Sequence, residues 1–144
     1  MMIIAMKKII LFLVISVMCV SVYAQTVVEV ETLKVTDLGN QKLCAAKVNG
    51  CIDHYYIMLK TSNIYQKYIT VYLGDKEEAI RLLRFLYDLN SKGGTYIHLE
   101  NRTNNVVSWN RLGYYTVFSE GRALKGHIRK QNIKGFIAEL TNNV

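Results

Sequence analysis

The sequence predicts an α+β domain, with one antiparallel sheet and two helices packed on one of its faces. Three observations predict it. Several short segments alternate apolar and polar residues with a period of two, as half-buried strands do. Two later segments carry apolar residues at helical spacing. The 144-residue chain has no proline and nine glycines, so glycine and asparagine punctuate it.

The first 24 residues are set apart from the fold. Lys7 and Lys8 precede the apolar run "IILFLVISVMCVSV", and Val22-Tyr23-Ala24 places small residues where a signal peptidase cuts. The run is shorter than the ~20 residues that span a bilayer, so it reads as a removed secretory signal and no membrane span is expected after cleavage. The leader, "MKKIILFLVISVMCVSVYAQ", resembles those of small exported proteins of Bacteroidetes-type bacteria. That resemblance implies a bacterial envelope or secreted location, periplasmic or extracellular. Residues 25–144 then form one α+β domain with 16 Lys and Arg against 11 Asp and Glu, a net charge of +5.

Strands are expected first. "VVEVETLKV", from Val27 to Val35, suits a strand with one buried face, and "KLCAAKV" a second. Asn49-Gly50 marks the tightest hairpin. "HYYIMLK" and "YQKYITVYL" follow as another hairpin. A helix from about Asp75 to Asn90 is predicted, with Asp75 as its cap, Glu78 three residues on and Gly93-Gly94 closing it. Ala79, Leu82, Leu83, Leu86 and Leu89 share its apolar face, widened by Ile80 and Phe85. "TYIHLE", "NVVSW", "GYYTVFS" and "RALKGHI" read as strands, and a last helix runs from about Lys130 to Leu140. The helices are expected to cover the Ile69/Val71/Leu73 and Ile97/Leu99 faces. The two halves read as a hairpin–helix pseudo-repeat.

Two cysteines remain after cleavage, Cys44 and Cys51. An even pair in an exported protein points to a disulfide, worth roughly 2.5 kcal/mol for so short a loop. Two buried free thiols are the alternative.

No nucleophile elbow, zinc-protease helix, phosphate loop or dinucleotide fingerprint occurs. His54, His98 and His127 stand alone, so no metal or other cofactor is expected. Asp53 and His54 could act as an acid/base pair, but adjacent strand residues point to opposite faces. No catalytic residue is assigned, and the expectation is a non-enzymatic binding or interaction module. A cysteine- or histidine-dependent hydrolase is the alternative.

Two surfaces could bind. Arg122, Lys125, Arg129, Lys130 and Lys134 fall within thirteen residues that hold no acid. Cations at a helix start oppose the macrodipole, at about 0.3–1 kcal/mol each, so their placement suggests use. They suit an anionic envelope component, attracted within ~8 Å at physiological salt. Nucleic acid is not expected as a partner, since export removes the chain from it. Tyr56, Tyr68 and Tyr72 share a sheet face that could serve an inhibitor or assembly subunit as a protein interface. Asn101-Arg102-Thr103, a glycosylation-type pattern, is read as a turn.

Overall fold

The computed structural model describes residues 26–89, 96–109 and 113–142. The predicted signal peptide and Gly93-Gly94 lie outside them. Four strands lead into a helix, and the same order then repeats. β1 (Val28–Thr36), β2 (Gln41–Val48), β3 (Cys51–Lys60) and β4 (Tyr68–Gly74) form an antiparallel meander, followed by α1 (Lys76–Tyr87). β5 (Tyr96–His98), β6 (Val106–Trp109), β7 (Tyr114–Phe118) and β8 (Lys125–Arg129) form a second meander, followed by α2 (Lys130–Asn142). The fold is α+β, but the single expected sheet is two. The repeating unit is a four-stranded meander and helix rather than a hairpin and helix.

The first sheet stops at β4 because side chains close its outer edge. Asn101 Nδ2 donates to the Tyr72 carbonyl at 2.9 Å, and the Tyr72 N–H donates to Thr103 Oγ1 at 3.0 Å. Asn105 Nδ2 reaches the Thr70 and Phe118 carbonyls at 3.4 and 3.1 Å. Asn105 is only 1% exposed. The turn expected at Asn101–Thr103 and Asn105, expected to open the strand "NVVSW", thus satisfy backbone groups that β5 would otherwise have to pair.

Alternation places Leu43, Ala45, Ile57, Leu59, Ile69, Val71 and Leu73 on the inner face of the first sheet. Ala79, Leu83 and Leu86 of α1 and Ile133, Phe136 and Leu140 of α2 join them in one core, with Val107, Tyr115, Val117 and Ile128 from the second sheet. Burying each of the larger aliphatic side chains contributes about 1.5–3 kcal/mol. The helices touch each other; α1 also packs on β3 and β4, and α2 on β1 and β8. Asp75 caps α1 as expected, its Oδ1 accepting the Glu78 N–H at 2.9 Å. Asn49 and Gly50 have φ of 51° and 80°, the left-handed pair of a type I′ hairpin.

Three further expectations are corrected. α1 ends at Tyr87, short of Asn90, and Phe85 is exposed. β1 has no buried face over its first half, where Val28 through Thr32 are all exposed. Cys44 and Cys51 are free thiols. Cys44 stands opposite Tyr56 and Cys51 opposite Val48, four residues further along β2. At ~3.4 Å per residue that is about 14 Å, twice the reach of a disulfide. Among the described residues no helix is long and apolar enough to cross a membrane.

Candidate functional site

β8 and the start of α2 carry the basic stretch. In β8 Gly126 and Ile128 point into the core, so Lys125, His127 and Arg129 share the exposed face. Lys130 opens α2 and Lys134 lies one turn on. Arg129, Lys130 and Lys134 converge on a cleft of about 550 Å³, lined also by Tyr87, Gly113, Tyr114 and Gln131.

Aromatic rings hold two of these cations in place. Tyr114 is the cross-strand neighbour of Arg129, whose guanidinium lies 5.2 Å from the ring centre. Lys130 Nζ lies 4.8 Å from the Tyr87 ring and 5.8 Å from Trp109, which itself packs 4.4 Å from Tyr115. Such contacts fix a cation while leaving N–H groups open to a ligand. The Lys130 N–H donates to the Gly113 carbonyl at 3.1 Å, which ties the helix start to the β7 entrance. The Asp37 carboxylate approaches Arg129 Nε to 3.7 Å and also accepts from Asn132 Nδ2 at 3.1 Å. An ion pair so long and exposed contributes little. The first turn of α2 has no acid, so the helix dipole and three cations add to one positive field.

Arg122 and Lys125 stand apart from this cleft. Arg122, in the turn Glu120–Arg122, stacks 4.5 Å over Tyr96 in a depression shared with the acids Glu100 and Glu120. Lys125 faces Phe118 at the far end of β8, four residues from Arg129. Tyr87 and Tyr114 complete the cleft, with Trp109 beside Lys130, without any marking in the sequence. Only the β7–β8 register reveals Tyr114 as the partner of Arg129.

Tyr56, Tyr68 and Tyr72 do share the outer face of the first sheet, opposite the core, with Tyr56 directly across from Tyr72. Each is half-buried. Lys42 lies 4.9 Å from the Tyr68 ring and Arg102 4.8 Å from that of Tyr72. The Tyr68 hydroxyl donates to the Gly39 carbonyl at 3.2 Å. Cys44 lies beneath, and burial together with Cys44 raises the Tyr56 pKa.

Asp53 and His54 are not on opposite faces as expected. The β2–β3 register passes from Ala46↔His54 to Lys47↔Ile52, so Asp53 is a bulge residue and its Oδ2 lies 2.8 Å from His54 Nδ1. The pair orients an imidazole, 4.9 Å from the Tyr72 ring. The buried Cys44 makes a poor nucleophile beside it, because burial pushes its thiol pKa up, away from the reactive thiolate. Among the described residues no three His, Cys, Asp or Glu side chains stand close enough to hold a metal.

Comparison of the chain with protein-family models, with curated proteins and with solved structures finds no match.

Proposed function

We propose that the protein is a non-enzymatic binding module of the bacterial envelope or secreted space, and that it takes an anionic envelope component in the Arg129/Lys130/Lys134 cleft. The convergence of three cations on one cleft carries this reading. A phosphate or sulfate group there would satisfy guanidinium and ammonium donors and the field of the α2 start together. Tyr87 and Tyr114 offer apolar walls to whatever bears the charge.

The chain's one tryptophan, Trp109, lies beside Lys130 and reports on the cleft. Titration with a heparin-derived oligosaccharide or with inorganic polyphosphate is expected to change Trp109 fluorescence saturably, and Lys130→Ser with Lys134→Ser to abolish the change. An unchanged titration curve in that variant would contradict the reading.

A protein interface on the tyrosine face is the second reading. It is favoured by three half-buried tyrosines on a face turned away from the core.

A further inference from the structure

The edge of β1 differs from the protected edge of β4. β1 is the outer strand of its sheet. At its start the Asn49 N–H donates to the Val27 carbonyl at 2.8 Å, and the Val27 N–H to Asn49 Oδ1 at 2.9 Å. Hydrogen bonding alternates along an antiparallel pair. Glu29 and Glu31 therefore face β2 with their backbone groups, and Val28, Val30 and Thr32 turn theirs outward. The opposite edge, on β4, is closed by Asn101, Thr103 and Asn105. Along β1 no proline, lysine or bulge intervenes until the register shift between Thr32 and Lys34. Val28 and Val30 are 66% and 63% exposed and form an apolar row on the outer face. Glu29 and Glu31 line the other face, Glu31 paired with Lys47 at 2.5 Å.

Charge decides what such an edge can accept. A second copy related by two-fold symmetry pairs residues whose numbers sum to an even value, so valine meets valine and glutamate meets glutamate. Directly opposed like charges destabilise a strand pair. A strand with apolar residues opposite the valines and Lys or Arg opposite the glutamates meets no such penalty.

We infer that the Val28–Thr32 edge of β1 accepts an extended partner segment of alternating apolar and basic residues, which adds as a fifth strand to the first sheet. The site is independent of the cleft at β8 and α2.

The test uses a fluorescein-labelled peptide, Thr-Val-Lys-Val-Lys-Val-Thr, and fluorescence anisotropy with the full chain. The controls are the same peptide with Glu in place of Lys and the same peptide with alternate amides N-methylated. Saturable binding is expected, at least about tenfold weaker for both controls: N-methylation removes one or two ladder bonds, and Glu in place of Lys sets like charges opposite Glu29 and Glu31. Val30→Pro is expected to weaken binding as much. The Val30 N–H points away from β2, so proline there costs the native ladder nothing. Val28→Lys with Val30→Lys keeps every backbone donor but removes the apolar row that the peptide valines meet, so it should weaken binding too, and it decides the matter if circular dichroism shows the proline variant unfolded. No saturable binding, or equal binding of the N-methylated peptide, would overturn the inference. So would sedimentation showing a dimer that Val30→Pro dissolves, because a second copy would then hold the edge.

Discussion

Gly126 lies directly against Leu59: a Cβ at position 126 would stand 2.6 Å from Leu59 Cβ and 3.4 Å from the Lys60 carbonyl oxygen. This contact is where β8 of the second sheet meets β3 of the first. Gly126→Ala must therefore push the sheets apart or displace Leu59. A loss of about 1–3 kcal/mol is expected, as for overpacked cores, read as a lower urea midpoint with unchanged slope.

Asn105 is the keystone of the β4 edge. Asn105→Ala leaves the Thr70 and Phe118 carbonyls without their buried donor, at about 1–3 kcal/mol. Because the Thr70 end of the β4 edge is then open, concentration-dependent aggregation should accompany the loss of stability. Light scattering alongside thermal unfolding measures both.

Tyr115 makes stability fall in alkali. It is fully buried, and its hydroxyl donates to the Leu86 carbonyl. Burial, aided by the charge of Asp88, pushes its pKa up to about 12, against about 10 in an unfolded chain. The folded state therefore holds the proton more tightly. Its contribution is complete below about pH 10 and is lost as pH rises to about 12, some 2–3 kcal/mol in all. Denaturant melts between pH 9 and 12 should show this decline, and Tyr115→Phe should flatten it.

The two thiols should differ sharply in reactivity. Cys51 is exposed, whereas Cys44 is buried and its pKa raised. A maleimide followed by peptide mass mapping should label Cys51 within minutes and Cys44 only when denaturant opens the sheet. Rapid labelling of Cys44 in the native protein would contradict the burial described above.

Much of the fold was legible because local chemistry decided it. Asp75 and Glu78 marked the start of α1, Asn49-Gly50 the β2–β3 turn, and Ala79, Leu83 and Leu86 the buried stripe of α1. What was not legible depended on pairing between distant residues. Nothing local to Asn101–Asn105 shows that its side chains will close β4 and so split one sheet into two. The bulge at Asp53 inverts the side-chain alternation on which its separation from His54 was argued. For the site, the five cations were visible as a charge run, but their division was not. β8 geometry carries Arg129 to the cleft and leaves Lys125 four residues away, while Arg122 turns to Tyr96 and two acids.

That division gives the central claim its most direct test, a salt-gradient elution from immobilised heparin. The parent is compared with an Arg129→Ser, Lys130→Ser and Lys134→Ser variant and with an Arg122→Ser and Lys125→Ser variant, each shown folded by circular dichroism. A cleft that binds anions predicts that the triple variant elutes at far lower salt and that the double variant elutes close to the parent. Equal losses per charge removed would contradict it, since net charge alone would then account for retention.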